Sequence, residues 1–137
     1  MPISDLDLTP QEQALYQMHL DNLYGIGGVD NPNGLRSTLR QITAEIDGRF
    51  YNLPTVWGGQ ILPGRQAIQT AMQYGLDKFP SYGSNDEAQQ RYDQMHGYIE
   101  QDTADFLRAR QRSQVVTDLL RRGVISNEAA AANGLLR

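Results

Sequence analysis

The dipeptide Asp47-Gly48 lies between two stretches of alternating polarity, and this arrangement constrains the fold more than any other part of the sequence. The stretches are ITAEI at 42–46 and RFYNL at 49–53. An Asp-Gly pair favours a two-residue hairpin turn, because both residues tolerate a positive φ. In that register Ala44 lies opposite Tyr51, and the apolar side chains of both strands share one face. The sequence therefore predicts an antiparallel hairpin at this point of the chain.

A second glycine-based turn, Gly58-Gly59, follows a few residues later. It places Val56 opposite Ile61, so that apolar side chains are again paired. Pro54 interrupts the strand before this turn, which is typical of an edge strand or a bulge. Together the two turns predict a three-stranded antiparallel meander over about residues 39 to 62.

Trp57 lies within the predicted meander. We expect its ring to be largely buried against a following helix, on residues such as Ile68 or Met72, because aromatic residues in small sheets usually belong to the core. The alternative is an exposed ring that serves as a binding platform for a sugar or a partner.

A helix is predicted before the meander. In the stretch TPQE, Thr9 is the expected N-cap and Glu12 its capping-box partner, with a proline at the first helical position. The helix should end at Tyr24, because glycines follow. Residues 25–38 carry four glycines and one proline, and we expect an irregular loop of a length that is often functional. Its DNPNG stretch resembles a calcium loop in composition but not in ligand spacing.

The second half of the chain is predicted to be helical. One helix is expected over 63–74 and a longer one over about 85–110, after a capping box that begins at Ser84. Two short helices follow. The predicted fold class is α+β, with an N-terminal helix, a three-stranded antiparallel meander and a helical C-terminal half. Residues 1–110 would form the α+β module, and 111–137 a helical appendage.

The charge balance argues against nucleic acid and membrane partners. The chain has 137 residues, with 12 basic and 16 acidic side chains, a net charge of −4 and a pI near 5.0. Proteins that bind DNA or RNA usually present a basic face. The longest apolar run is far shorter than the ~20 residues that span a bilayer, and the first residues lack the pattern of a secretory signal. We therefore expect no nucleic acid partner and no membrane span.

No pattern in the sequence predicts a catalytic residue, a cofactor site or a metal site. The chain has no cysteine, and neither His19 nor His96 has a second histidine at a ligand spacing. Glu100, Asp102 and Asp105 could suggest the paired carboxylates of a glycosidase, but an exposed acidic helix face explains them more simply. We expect that folding requires no metal.

Two long segments resemble a recurring module. They are LYGIGGVDNPNGLRSTLRQITAEIDGRFYNLPTVWGGQIL at 23–62 and FPSYGSNDEAQQRYDQMHGYIEQDTADFL at 79–107. Both are similar to segments of tailed-bacteriophage and prophage proteins, in which the module occurs alone or joined to larger phage proteins, without an assigned catalytic centre. The resemblance covers about residues 15 to 107, and it implies a phage-encoded, virion-associated protein.

The resemblance leads us to expect a non-enzymatic structural or accessory component of a tailed-phage virion, at the capsid, connector or tail. Its partners would be other virion proteins, and multiple copies would occupy a symmetric assembly. The protein would be made in the cytoplasm of the bacterial host and located in the virion. Two alternatives stay open: an accessory of a phage cell-wall-degrading activity, and a phage regulatory protein that does not enter the particle.

The C-terminal segment is the predicted contact surface. Two short helices are marginal in water alone, so their apolar clusters need a surface to cover them. That surface is either the long helix of the same chain or a neighbouring protein, and the position of the segment outside the phage resemblance favours the neighbour. Its alanine-rich second helix suits close packing better than base readout. The predicted partner-binding residues are Leu119, Leu120, Val124, Ile125, Leu135 and Leu136.

Overall fold

The structure is a computed structural model that describes Ile3 and residues 6–123. It confirms the α+β class, with a helix first, antiparallel strands in small sheets and a long helix last. In chain order the elements are α1 (Pro10–Tyr24), β1 (Val29–Asp30), β2 (Arg36–Ser37), β3 (Ile42–Ile46), β4 (Arg49–Leu53), β5 (Val56–Trp57), β6 (Gln60–Ile61), α2 (Gly64–Tyr74), a 3-10 turn (Leu76–Lys78), β7 (Ser81–Tyr82) and α3 (Asn85–Arg121).

Helix α1 begins and ends where the sequence predicts. Thr9 Oγ1 accepts a hydrogen bond from the N–H of Glu12 at 3.2 Å, and Glu12 Oε1 accepts one from the N–H of Thr9 at 2.9 Å. Both halves of the capping box are therefore formed. Leu15, His19 and Leu23 follow at helical spacing and are buried, so one face of the helix belongs to the interior.

Strands β3 and β4 form the predicted hairpin. Ala44 is paired with Tyr51, in the register that the sequence indicates. Asp47 has a φ of 52° and Gly48 a φ of 79°. These are values of a type I′ turn, whose twist matches that of the flanking strands. Turn chemistry and apolar parity thus select the same register.

The prediction that residues 60–62 form the third strand of this sheet is wrong. The three-stranded sheet has the order β3–β4–β7, so the strand beside β4 comes from Ser81–Tyr82. The chain bends at Pro54, which has no N–H to donate, and the N–H of Thr55 donates to Leu39 O at 2.8 Å. This contact directs the following residues away from the edge of β4 and leaves that edge to β7.

Strands β5 and β6 instead form a two-stranded sheet of their own. Val56 is paired with Ile61, as expected. Gly58 and Gly59 have φ values of 56° and 78°, so a second type I′ turn joins the strands. The local prediction was therefore right, and only the neighbour of this hairpin was misassigned.

The core is built from helices, strands and the segment before β7. Asn52 is a buried polar side chain beside this core; its Nδ2 donates to Ala88 O at 2.9 Å, and its Oδ1 accepts from the hydroxyl of Thr43 at 2.8 Å. Asn52 thus joins β3, β4 and α3 through satisfied hydrogen bonds. The buried core cluster comprises Leu15, Leu39, Leu53, Ala71, Phe79, Met95 and Ile99.

Trp57 is partly exposed, but most of its surface is buried, in agreement with the expectation. Met72 is exposed, so the expectation that it covers the ring is wrong. The indole ring lies against Tyr74, with ring centroids 5.5 Å apart, and against Phe79, at 6.2 Å. Trp57 and Ile68 both pack on the core cluster, so the tryptophan covers the margin of the core.

Helix α3 is longer than expected. It is continuous over Asn85–Arg121, 37 residues, where the sequence predicted a helix to about residue 110 and then a separate short one. No glycine or proline lies between Gly97 and Gly123, so nothing in the backbone ends the helix earlier. Within the described residues, neither this helix nor another has the apolar length to cross a bilayer.

The chain divides into two units, Met1–Gln101 and Asp102–Arg137. The first contains α1, α2 and the strands named above, and the described part of the second is helical. The role of residues 111–137 as an assembly appendage stays a prediction.

Replacing Trp57 with alanine should lower the free energy of unfolding by about 2–3 kcal/mol. This is below the range for a fully buried aromatic residue, about 3–5 kcal/mol, because part of the ring is exposed. Trp57→Phe should recover most of the loss, since it keeps an aromatic contact with Tyr74 and Phe79. Urea unfolding followed by circular dichroism measures both values. An unchanged stability in Trp57→Ala would assign the ring to a partner instead.

Candidate functional site

A cleft of about 570 Å³ opens between α1, strands β4 and β7 and the start of α3. Its lining combines the charged side chains Glu12, Arg49 and Arg91 with the aromatic side chains Tyr51 and Phe79. Clefts of this size with convergent polar groups are the usual location of small-molecule sites. Whether this cleft could support acid–base chemistry therefore depends on the protonation and the hydrogen bonds of its charged side chains.

Glu12 is fully buried beside the cleft and accepts hydrogen bonds from three parts of the chain. Arg91 binds its carboxylate in a bidentate manner, from Nη2 to Oε1 and from Nε to Oε2, both at 2.8 Å. The hydroxyl of Tyr82 donates to Oε2 at 2.6 Å, and the N–H of Thr9 donates to Oε1 at 2.9 Å. Bidentate arginine–carboxylate pairs are among the strongest hydrogen-bonded contacts in proteins. The carboxylate thus connects α1, β7 and α3.

These contacts fix the protonation of all three side chains. Burial alone would raise the pKa of Glu12, but the hydrogen bonds from Arg91, Tyr82 and Thr9 outweigh it and lower the pKa from 4.5 to about 2. Burial, and then the hydrogen bond to Glu12, raise the pKa of the Tyr82 hydroxyl. The hydrogen bond to Glu12 also raises the pKa of Arg91. Near neutral pH the group is therefore a carboxylate, a phenol and a guanidinium.

Three charged side chains of the cleft, Glu12, Arg91 and Arg49, are engaged in contacts within the fold. A general acid or base must exchange a proton with a substrate near the working pH, whereas the Glu12 carboxylate is buried and has a pKa of about 2. Arg49 is also engaged, because its Nε donates to Ser81 Oγ at 2.8 Å and its Nη2 donates to Ser81 O at 3.0 Å. Glu12, Arg91 and Arg49 are thus held by contacts within the fold, in a cleft that Asp7, Asp77 and Glu87 also line.

The loop 25–38 is more regular than the sequence suggested. It contains the antiparallel pair β1–β2, in which Asp30 lies opposite Arg36. The N–H of Asn31 donates to Leu35 O at 2.8 Å, which closes the turn between the two strands. The expectation of an irregular connection is therefore wrong for this part of the loop.

Arg36 fastens this hairpin to the end of α1. Its Nη2 donates to Asn22 O at 3.0 Å and to Gly25 O at 2.7 Å, and its Nη1 lies 3.1 Å from Asp30 Oδ1. A cation is favourable there, because the last carbonyls of a helix lack helical partners and carry partial negative charge. Glycine is needed at Gly28, where a Cβ would lie 2.5 Å from Asn22 O and 2.8 Å from the guanidinium carbon of Arg36.

The polar side chains of the DNPNG stretch also serve the hairpin. Asn31 Nδ2 donates to Ser37 Oγ at 3.0 Å, and Asn33 Oδ1 accepts from the N–H of Leu35 at 3.0 Å. Among the described residues, no three histidine, cysteine, aspartate or glutamate side chains lie together in a way that could hold a metal ion.

Large apolar side chains are exposed on and beside this loop. Ile26 is 100% exposed, Tyr24 69% and Leu35 56%, and they are three of the six exposed large hydrophobic residues in the described part of the chain. The loop is anchored further by the N–H of Gly59, which donates to Gly27 O at 3.2 Å. Apolar side chains on an anchored segment suit a protein contact, because little chain entropy is left to lose on binding.

The predicted partner-binding residues are described only in part. Leu119 and Leu120 lie in the last turn of α3, and both are half-buried. The other predicted contacts, Val124, Ile125 and the pair 135–136, lie outside the described residues. Partner binding by this segment stays a prediction.

His19, His96 and Asp105 each have a hydrogen-bond or ion-pair partner within the chain. His19 is fully buried, and its Nδ1 lies 2.7 Å from Thr38 Oγ1. His96 Nε2 lies 2.9 Å from Glu100 Oε1 one turn along α3. Asp105 forms an ion pair with an arginine one turn later. Glu100 and Asp105 are exposed, as expected for an acidic helix face, whereas Asp102 is half-buried.

Sequence reasoning identified Glu12 as part of a capping box and missed its other partners. Tyr82 and Arg91 are 70 and 79 residues away in the chain, and no local pattern connects them to it. One signal was available, because Glu12 lies on the same helix face as Leu15 and His19. A carboxylate on the buried face of a helix indicates a paired charge, since an unpaired one is too costly.

No protein-family model, no curated protein and no solved structure matches this chain.

Glu12→Gln should lower the free energy of unfolding at pH 7 by about 2–4 kcal/mol, because it leaves the guanidinium of Arg91 without its countercharge. The pKa of Glu12 is about 2 in the folded protein and 4.5 without these contacts. Its contribution to stability is therefore complete above pH 4.5 and is lost as the pH falls from there towards 2. The difference between wild type and Glu12→Gln should shrink over that window.

Urea unfolding at a series of pH values from about 3 to 7 measures this difference. Glu100→Gln is the matched control, because Glu100 is an exposed carboxylate in a surface pair, and such pairs contribute little. A difference that stays constant as the pH falls below 4.5 would contradict the assignment of the effect to the Glu12 carboxylate.

Arg36→Lys should loosen the hairpin of loop 25–38, because an ammonium group cannot hold two carbonyls and a carboxylate in one planar arrangement. We expect hydrogen exchange at the amide of Asn31 to become about tenfold faster, as for the loss of one net hydrogen bond. The amide of Ala44 should be unaffected, and Arg65→Lys, at an exposed arginine on α2, is the control. Unchanged exchange at Asn31 would show that the hairpin does not depend on Arg36.

Proposed function

We propose that this protein is a non-enzymatic structural or accessory component of a tailed-phage virion, at the capsid, connector or tail. It acts through contacts with other virion proteins, in several copies within a symmetric assembly. It is made in the host cytoplasm and carried in the particle. The setting rests on the sequence resemblance over about residues 15 to 107, and the mode of action rests on the surface of the loop 25–38.

The observation that carries the proposed mode of action is the exposure of Ile26, Tyr24 and Leu35 on an anchored segment. Single exposed apolar residues are ordinary on protein surfaces. Three within a few residues, on backbone fixed by Arg36 and Gly59, support a surface that another protein covers. Repetition of such a contact around a particle adds avidity, so each contact need bury only a modest area.

The state of Glu12 argues against this carboxylate as a glycan-cleaving group. Glycosidases need one carboxyl group that donates a proton and a second that acts as a nucleophile or base. Glu12 lines the cleft but is buried, ionised and bound by Arg91. Burial and bidentate pairing remove it from either role.

The C-terminal segment is a second proposed contact. Leu119 and Leu120 would contribute to it together with the apolar residues that follow. Removing residues 124–137 leaves α3 complete, so this truncation separates the contribution of the segment from that of the loop.

Mass spectrometry of purified particles of the encoding phage should detect this protein. The double variant Ile26→Asp, Leu35→Asp should fold normally, because both side chains are exposed, and should be incorporated at least about tenfold less, since burial of one aliphatic side chain contributes about 1.5–3 kcal/mol. Met72→Asp, which changes another exposed apolar residue, should be incorporated like the wild type.

Absence of the protein from purified particles would overturn the virion assignment and favour the regulatory alternative. Normal incorporation of the double variant would exclude the loop as the contact. If removal of 124–137 then abolishes incorporation, the contact belongs to the C-terminal segment. Cleavage of peptidoglycan by the purified protein in a zymogram would overturn the non-enzymatic assignment.

A further inference from the structure

Strand β3 lies at the edge of its sheet, because the strand order is β3–β4–β7. No other strand of the described residues pairs with its outer side. The N–H of Asn52 on β4 points away from β3 and donates to Pro80 O at 3.2 Å, and Asn52 is the residue opposite Thr43. Thr43 and Asn52 therefore form a non-hydrogen-bonded pair of the antiparallel ladder, in which the backbone groups of both residues point away from each other. The N–H and C=O groups of Thr43, and of Glu45 two residues on, therefore point outward.

The outer edge of β3 is complementary to a second copy of itself. When two β3 strands run antiparallel about Ala44, Thr43 of one copy faces Glu45 of the other, and their outward groups can exchange both hydrogen bonds. Ile42 then faces Ile46 of the second copy, and the two Ala44 residues face each other. The apolar side chains of both strands stay on one face, which a register shifted by one residue would not achieve.

Charges at the two ends of β3 support the same register. Arg40 precedes the strand and Asp47 follows it, and both are exposed. Within the part of the chain that the structure describes, neither takes part in an ion pair. In this register Arg40 of each copy lies opposite Gly48 of the other, one residue from Asp47 and within reach of its long side chain, so a twofold axis creates an ion pair at each end. This complementarity favours a second copy over an unrelated strand.

We propose that two copies of this chain pair through the outer edges of β3, antiparallel about Ala44, so that their three-stranded sheets become one continuous sheet. The pairing satisfies the outward backbone groups that an edge strand otherwise leaves to water. It deepens the proposed function, because it names the surface through which copies meet. Its test uses the purified protein, so a monomeric result leaves the particle experiments to decide the virion assignment on their own.

Sedimentation equilibrium of the full chain over a range of concentrations measures the oligomeric state. The wild type should be a dimer. Glu45→Pro should be a monomer, because proline removes an outward N–H and its ring occupies the outer edge, while edge positions tolerate it within the strand. Glu45→Thr removes the charge and keeps the N–H, and should still dimerise. Circular dichroism and thermal unfolding establish that the variants are folded.

Disulfide trapping tests the register without weakening the edge. The chain has no cysteine, so Ala44→Cys places a single thiol at the twofold axis, where the two Cα atoms would be about 4.5 Å apart. That separation permits a disulfide. Glu45→Cys is the control, since the two residues 45 would be diagonal neighbours about 7–8 Å apart, beyond the usual reach of a disulfide. Mild oxidation should link the first variant quantitatively and the second slowly.

Charge variants test the ends of the strand. Arg40→Glu should raise the dimer dissociation constant by roughly tenfold, because it replaces two ion pairs by two repulsions. Adding Asp47→Asn removes the repulsion, and asparagine keeps the left-handed turn conformation, so the double variant should recover part of the affinity.

A wild type that stays monomeric up to about millimolar concentration would overturn the proposal. A dimer that persists in Glu45→Pro would also overturn the proposal. Equally fast disulfide formation in Ala44→Cys and Glu45→Cys would overturn the proposed register. If Glu45→Pro does not fold, the two cysteine variants decide the question, because both keep the backbone donors of β3.

Discussion

The carboxylate of Glu12 is the point on which the arrangement of α1, β7 and α3 depends. It is fully buried, and an ionised group in that position is tolerated only when hydrogen bonds and a countercharge replace its hydration. Arg91 and Tyr82 provide both, from elements that lie far along the chain. Because bidentate geometry is directional, the pair fixes how these elements meet more narrowly than apolar contacts would. The cleft beside it is a consequence of that arrangement.

The same use of charged groups recurs at the opposite end of α1. Arg36 binds the last carbonyls of the helix and Asp30, and the loop it anchors carries the exposed Ile26. At both ends of α1 a charged side chain is therefore engaged within the fold, while Ile26 beside the second of these contacts is exposed. The exposed Ile26 on this anchored loop is the feature on which the proposed role in a particle rests.

The features that the sequence predicted correctly are those whose causes lie within a few residues. The capping box of Thr9 and Glu12 and the turns at 47–48 and 58–59 are local, because the groups that form them are three residues apart or fewer. The third strand was not predictable in this way. Its position depends on a bend at Pro54 and on which later segment reaches the edge of β4. Pro54 marks the interruption of the strand locally, but no local pattern indicates which later segment pairs with β4.

In the candidate site, too, features with local causes were predicted and features that depend on distant residues were not. The exposed loop was marked by its composition, but its hairpin depends on Arg36, which binds carbonyls 11 and 14 residues away. The predicted end of α3 near residue 110 is wrong, because no helix-breaking residue occurs there. Residues such as Val124 and Ile125 lie outside the described part, so the C-terminal contact rests on the sequence alone.

The separation of Glu12 from Arg91 also has a consequence for synthesis. The glutamate leaves the ribosome with the first helix, whereas its arginine follows 79 residues later, which is several seconds at about 5–20 residues per second. During that interval the hairpin of β3 and β4 can form from neighbouring residues, but α1 must keep its carboxylate in water. The nascent chain therefore completes its core only after the start of α3 has emerged, and the order of translation delays burial until every partner is present.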